Sequence, residues 1–126
     1  MRDSADAAPR GGKVPSWALR PDGYLHIADY GVIGDCRSLA LVGVDGSIDW
    51  CSLPRFDSPS IFGRLLDQRR GGSWQVAPVG DFACRQEYAD KTNILRTIFQ
   101  TADGLAVVTD FMPVQEAEVK QHARLH

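Results

Sequence analysis

Two Asp-Gly dipeptides, each flanked by apolar and β-branched residues, constrain the fold of this chain more than any other feature. The first, Asp45-Gly46, lies between the runs 38–42 (SLALV) and 48–53 (IDWCSL), and the second, Asp103-Gly104, lies between residues 93–101 and 106–112. Asp-Gly favours a two-residue hairpin loop, because both loop positions take positive φ there. The sequence therefore predicts two antiparallel hairpins.

Two-residue loops also predict which residues lie opposite each other. In the first hairpin Leu41 should face Trp50 and Val42 should face Asp49, with Asp49 and Trp50 on opposite faces of the strand. The predicted pairs of the second hairpin are Phe99 with Val108, Thr97 with Asp110 and Leu95 with Met112. Its other face is also apolar, with Ile94, Ile98, Val107 and Phe111. Such a strand pair is typical of the covered middle of a large β-sandwich.

Between the hairpins the pattern predicts one short helix and then two further strands. Asp57 or Ser58 can cap the helix, and Pro59 suits its first turn. Its apolar stripe would be Ile61, Phe62, Leu65 and Leu66, ended by Gly71-Gly72. Residues 73–77 and 83–88 are predicted strands. The predicted fold class is all-β, a mainly antiparallel and incomplete β-sandwich with one short helix.

The domain organisation follows from changes in composition. Residues 1–22 predict a disordered leader, residues 23–114 the β-sandwich segment, and residues 115–126 a charged tail that is disordered or a frayed helix. The length of 126 residues has room for one domain or for a piece of a larger one.

Charge and cysteine content argue against several classes of function. The net charge is −2 and no Lys/Arg cluster occurs, so neither nucleic acid nor an anionic membrane is an expected partner. No signal-peptide core is present in the first 21 residues, which predicts a cytoplasmic protein. Cys36, Cys51 and Cys84 are widely spaced without a CxxC motif, which argues against a disulfide framework and a zinc site. No cofactor is expected.

A series of short motifs runs along most of the chain. They are 30–37 (YGVIGDCR), 40–42 (ALV), 45–50 (DGSIDW) and 53–59 (LPRFDSP), then Tyr88, 92–95 (TNIL), Phe99, 101–104 (TADG) and 108–113 (VTDFMP). In this order and at this approximate spacing they resemble the opening of bacterial proteins of glycoside hydrolase family 15, the glucoamylase-like and trehalase-like enzymes. The resemblance covers about residues 27–114.

The resemblance implies a fold and also which domain carries the catalytic residues. In that family an N-terminal β-sandwich precedes an (α/α) barrel, which hydrolyses α-glucosidic bonds with inversion in maltodextrins, isomaltose-type sugars or trehalose. Its two catalytic carboxylates are glutamates of the barrel, beyond residue 126, and no position here can receive them. The chain is therefore expected to be non-catalytic by itself and to reach an α-glucan or trehalose only through the barrel. It departs from the family after Val114, where the strand that normally follows is lacking.

Five residues are candidates for a wall of the substrate pocket or for an interdomain contact: Asp49, Trp50, Arg55, Phe56 and Asp57. The loop 54–59 combines an aromatic ring with a planar hydrogen-bonding group, which suits sugar rings and hydroxyls. In the alternative interpretation, Arg55 and Asp57 hold the loop in place while Phe56 and Trp50 fill the core.

Two further expectations concern the chain as a whole. An alternative function is a free-standing β domain that binds a carbohydrate or a protein. An incomplete sandwich would also leave sheet edges open, and open edges favour self-association.

Overall fold

The computed structural model describes residues 14–114, and the predicted all-β fold is confirmed. These residues form nine strands: β1 (Val14–Pro15), β2 (Tyr30–Gly34), β3 (Leu39–Gly43), β4 (Ser47–Ser52), β5 (Ser60–Phe62), β6 (Trp74–Gln75), β7 (Ala83–Tyr88), β8 (Leu95–Gln100) and β9 (Leu105–Asp110). A four-stranded sheet has the order β1-β7-β8-β9. A five-stranded sheet has the order β2-β3-β4-β5, with β6 also paired to β4. Every pair is antiparallel.

The core lies between the two sheets, in two clusters of buried side chains. One cluster joins the five-stranded sheet to β8 and the end of β9, through Ile33, Ala40, Val42, Ile48, Cys51, Leu95 and Met112. The other contains Leu19, Leu25, Val44, Cys84 and Phe99. In the second cluster the ring of Phe82 meets that of Phe99 edge to face, with centroids 5.2 Å apart. Each large apolar side chain buried in this way contributes roughly 1.5–3 kcal/mol.

The first hairpin keeps one predicted pair and loses the other. Leu41 lies opposite Trp50 as predicted, but Val42 pairs with Ile48. The predicted pairing of Val42 with Asp49 is wrong because a β-bulge at this point inserts Asp49 as an extra residue. The loop has three residues, 44–46, and only its Gly46 has positive φ (+80°). A three-residue loop that ends in a left-handed residue commonly introduces such an irregularity.

The second hairpin is shifted by two residues from the predicted register. Thr97 lies opposite Val108 and Phe99 opposite Ala106. A four-residue loop, 101–104, replaces the predicted two-residue loop and is closed by the Thr101 amide, which donates to the Gly104 carbonyl at 2.9 Å. A shift of two residues leaves every side chain on its predicted face, because the side-chain period of a strand is two.

The prediction that both faces of this hairpin are covered is wrong for β9. On the outer face Ile98 is buried, but its partner Val107 is 49% exposed. Within the described residues β9 lies at the edge of its sheet rather than in its middle. An edge strand has a neighbour on one side only, so its outward side chains receive less cover.

The predicted helix is wrong. The 3₁₀ turns Ser16–Ala18 and Ile27–Asp29 are the helical segments of the described part, and residues 60–62 form β5. Pairing of Phe62 with Cys51 satisfies the backbone and lets the Phe62 ring pack against the core, which a helix would not achieve at this position. The strand predicted at 83–88 is confirmed as β7, whereas that predicted at 73–77 is reduced to β6.

Part of the predicted leader belongs to the fold. Residues 1–13 and the charged tail 115–126 lie outside the described residues. Residues 14–22, however, contribute β1, which pairs with β7, and the side chain of Leu19, which is 3% exposed. Folded structure therefore begins before residue 22.

Candidate functional site

The loop 54–59 follows a cis peptide bond between Leu53 and Pro54 and projects its side chains into solvent. The side chains of Arg55 and Asp57 are each 71% exposed and form an ion pair with 3.1 Å between Nε and Oδ1. Phe56, between them, is 55% exposed. Phe56 therefore does not fill the core, contrary to the structural alternative considered for it.

Hydrogen bonds of the backbone, not the ion pair, hold this loop in place. The Phe56 amide donates to the Arg37 carbonyl at 2.7 Å, and the Arg55 amide donates to Ser58 Oγ at 3.1 Å. An ion pair this exposed contributes about 0–1 kcal/mol. Arg55 and Asp57 thus pair with each other in solvent and contribute little to holding the loop.

Three segments that are far apart in the sequence meet at this end of the sandwich. Loop 54–59 is bonded to Arg37, as described above. Asp35 Oδ1 orders the turn before β3 by accepting the amides of Arg37 and Ser38 at 2.9 and 2.8 Å. Ser38 Oγ lies 3.8 Å from Met112 Sδ. Met112, two residues after β9, therefore lies near the turn to which loop 54–59 is bonded.

Asp49 occupies a different environment, a buried cluster of charged and polar groups. Its Oδ2 atom lies 2.8 Å from Nη2 of Arg20 and accepts a hydrogen bond from the Tyr30 hydroxyl at 2.5 Å. Its Oδ1 atom accepts from Ser47 Oγ, also at 2.5 Å. Arg20 Nε also pairs with Oδ2 of Asp45 at 2.7 Å. Both oxygens of Asp49 are thus engaged, and the residue has no exposed surface.

The electrostatics of this cluster keep Arg20 charged and Tyr30 neutral. Burial opposes the charge of Arg20, but hydrogen bonds and attraction from Asp45 and Asp49 outweigh it and raise the Arg20 pKa. Burial, followed by the hydrogen bond to Asp49, raises the pKa of Tyr30, which stays a neutral donor. The cluster links the segment before β2 to the β3–β4 hairpin. A closed and fully paired carboxylate of this kind is a structural anchor, not a sugar ligand.

Trp50 follows Asp49 in β4 but belongs to a different group of side chains. It continues a row of side chains across the outer face of the five-stranded sheet, from Val32 through Leu41. Val32 is 45% exposed, while Leu41 and Trp50 are partly buried. The five candidates are therefore not one site: Arg55, Phe56 and Asp57 share an exposed loop, Asp49 belongs to the buried cluster, and Trp50 is partly buried in the row with Leu41.

The structure also identifies residues that the sequence did not indicate. Arg20 falls within the predicted leader, and Tyr30, Asp45 and Ser47 fall within the motifs 30–37 and 45–50. A signal was present in Asp45 and Asp49, since two carboxylates four residues apart in an apolar hairpin require a nearby cation or hydroxyl donors. Nothing in the local pattern indicated which cation.

Residues 14–114 contain no group of three or more His, Cys, Asp or Glu side chains that could hold a metal ion. In the same residues no helix has the length and apolar character needed to cross a membrane.

Comparison with known proteins gives the family. Residues 17–124 match the family model described as trehalase-like, N-terminal. The chain belongs to this family. Its relatives include trehalase 1 of Sulfolobus acidocaldarius, which is 42% identical over 101 residues, covering 79% of this chain and 18% of that protein. The trehalase of Mycolicibacterium smegmatis is 40% identical over 85 residues, covering 67% of this chain and 13% of that protein.

A third relative extends the pattern. The trehalase of Thermoplasma volcanium is 38% identical over 98 residues, covering 75% of this chain and 16% of that protein. The trehalase-like N-terminal domain thus spans less than one fifth of the length of these three relatives. No solved structure matches the chain.

Proposed function

We propose that this domain is the non-catalytic N-terminal part of a glycoside hydrolase family 15 enzyme that hydrolyses trehalose or a related α-glucoside. The proposal is supported by relatives that are trehalases and that the chain matches over 13–18% of their lengths. Inverting hydrolysis needs an acid and a base whose carboxyls are roughly 6.5–9.5 Å apart, on either side of the sugar. Asp49 is the most deeply buried carboxylate of the described residues, and both of its oxygens bind neighbouring side chains of the fold.

We further propose that loop 54–59 contacts the catalytic domain and helps to wall its substrate pocket. One observation carries this: the exposed group Arg55-Phe56-Asp57 is bonded to Arg37, next to Ser38, whose hydroxyl lies 3.8 Å from Met112 Sδ near the end of the described residues. An exposed aromatic ring flanked by two charges offers both an apolar contact and hydrogen bonds to a neighbouring domain.

A chimera tests this proposal. In trehalase 1 of Sulfolobus acidocaldarius, the aligned segment is replaced by residues 17–114 of this chain, and glucose release from trehalose is measured. Phe56→Ala in the chimera should lower kcat/KM about tenfold, a loss of about 1.4 kcal/mol of transition-state stabilisation. Arg55→Ala should lower it less, because solvent already screens its charge.

The matched control is Val79→Ala, because Val79 is fully exposed and belongs to the turn between β6 and β7. This substitution should leave kcat/KM unchanged. Equal activity of the Phe56→Ala and Val79→Ala chimeras, with thermal stability unchanged in both, would refute a role of the loop beside the substrate pocket.

A further inference from the structure

The longest sheet edge of the described residues belongs to β9. Six residues, Leu105–Asp110, pair with β8 on one side only. An edge strand of this length presents alternate amide and carbonyl groups that can pair with another strand.

Other edges of the sandwich are protected. The Tyr88 hydroxyl covers the edge of β2, because it accepts from the Val32 amide at 2.8 Å and donates to the Val32 carbonyl at 2.9 Å. The open part of β7 carries the ion pair of Arg85 with Glu87. The strands β1, β5 and β6 have only two or three residues each. Capping side chains, edge charges and short strands are the usual means of preventing edge pairing.

None of these means protects the first five residues of β9. Leu105, Ala106, Val107, Val108 and Thr109 include no charged residue and no proline. Leu105 is 64% exposed and Val107 is 49% exposed. An open, mainly apolar groove adjoins Leu105, Ala106 and Val108, and Val76, Ala77 and Pro78 also line it.

We propose that this edge pairs with β9 of a second copy of the chain, antiparallel and about a two-fold axis at Val107. The inference is independent of the function proposed above. A two-fold contact requires a self-complementary strand. In this register Val107 faces Val107 of the second copy, Leu105 faces Thr109, and Ala106 faces Val108. The side chains that meet are thus all uncharged, and all except Thr109 are apolar; the two sheets become one sheet of eight strands.

The charges of the strand permit this register. Asp110 lies three residues from the axis, so the two Asp110 carboxylates are about 20 Å apart at a rise of about 3.4 Å per residue. That separation exceeds the Debye length of about 8 Å at physiological ionic strength, so their repulsion is largely screened. One strand pair is small beside the 1,200–2,000 Å² typical of stable complexes, so the dimer is weak and depends on concentration.

The oligomeric state of the 126-residue chain tests the proposal. Sedimentation equilibrium should show a reversible monomer–dimer equilibrium at high protein concentration. Val107→Lys should raise the dimer Kd at least tenfold, because a lysine at the edge is buried by the pairing. The matched control is Val32→Lys, at a residue of similar exposure (45%) on the capped edge of β2, and it should leave the Kd unchanged.

A cross-link tests the register directly and does not depend on the lysine variant folding well. In a Cys36→Ser background, which removes the exposed native thiol, Val107→Cys should give a disulfide-linked dimer on mild oxidation, since residues facing each other across the axis lie within disulfide reach. Thr109→Cys in the same background should give far less, because its neighbour across the axis is Leu105. A chain that stays monomeric at all concentrations, equal effects of the two lysine variants, or equal cross-linking at 107 and 109 would each overturn the proposal.

Discussion

Arg20 and Asp49 are 29 residues apart in the sequence, yet they form an ion pair with 2.8 Å between Nη2 and Oδ2. The Asp49 side chain has no exposed surface and that of Arg20 is only 13% exposed. Arg20 also forms an ion pair with Asp45, so one guanidinium contacts two carboxylates inside the fold. This arrangement explains why the chain before β2 packs against the sandwich instead of extending as a leader.

We expect Arg20→Ala to be the most destabilising substitution of a charged residue in the described part of the chain. Removing one partner of a buried ion pair leaves an uncompensated charge and costs about 3–5 kcal/mol. Small domains are stable by about 5–15 kcal/mol, so the variant should be partly unfolded or unfold at much lower urea concentration. Urea unfolding followed by tryptophan fluorescence measures this.

The control is Arg55→Ala, which removes the exposed ion pair with Asp57. Its expected cost is about 0–1 kcal/mol, because solvent screens such pairs. If the two arginine variants unfolded at the same urea concentration, the anchoring role of Arg20 would be wrong.

Gly46 should not tolerate alanine. Its φ is +80°, and a Cβ atom there would lie 2.1 Å from the Val76 carbonyl oxygen and 2.9 Å from Phe99 Cζ. Gly80 has a similar φ of +85° but no atom within 4 Å of such a Cβ, which makes Gly80→Ala the matched control. The left-handed conformation alone costs roughly 1–2 kcal/mol, so Gly80→Ala should lose about that much and Gly46→Ala clearly more. Thermal unfolding of both variants measures the difference. Equal losses of stability would mean that the chain at Val76 shifts at little cost to make room for the added Cβ atom.

Asp110 should make stability depend on pH. Burial raises its pKa, so the folded state favours the protonated carboxyl. The stability gained from this proton is present below the unfolded pKa of about 3.9 and is lost as the pH rises through the higher folded pKa. Asp110→Asn, which keeps the side chain neutral, should therefore raise the free energy of unfolding at pH 7, and this gain should vanish below about pH 4.

Asp90→Asn, at an exposed turn, is the control for this pH dependence. It should show no gain at pH 7. A gain for Asp110→Asn that persisted unchanged at low pH would contradict burial of the charge as its cause.

The three cysteines should differ sharply in reactivity. Cys36 is exposed, whereas Cys51 and Cys84 are buried. Burial raises the pKa of Cys51, and burial together with the charges of Asp45 and Asp29 raises that of Cys84 to about 12. A disulfide reagent at pH 8 should modify one thiol per folded chain quickly, since only an accessible thiolate reacts, and three after unfolding in urea. Rapid reaction of two thiols in the folded chain would contradict the burial of Cys51 and Cys84.

Local patterns predicted the β content, and non-local contacts decided the details. Alternation over 83–88 gave a strand with the observed bounds, and the Leu41–Trp50 pair followed from the position of Asp45-Gly46. The bulge at Asp49 was not predicted, because it accompanies a three-residue loop where Asp-Gly predicts a two-residue one. The apolar stripe that begins at Ile61 and Phe62 wrongly predicted a helix, because the pairing of β5 with β4 outweighs the local preference.

The candidate site was predictable in part. An aromatic residue between two charges in a proline-flanked loop indicated an exposed contact segment, and the structure places Phe56 at the surface. The position of Met112 near the turn that holds this loop could not be predicted, because it depends on the contact between Ser38 and Met112, 74 residues apart.

The most direct test of the central claim is glucose release from trehalose by the purified 126-residue chain. Folding is verified first by a cooperative urea transition. If this is the accessory N-terminal domain of a trehalase-like hydrolase, the rate should equal that of the buffer blank at every pH. Turnover above the blank that scales with protein concentration would show that these residues carry an acid and a base of their own, and would contradict the account.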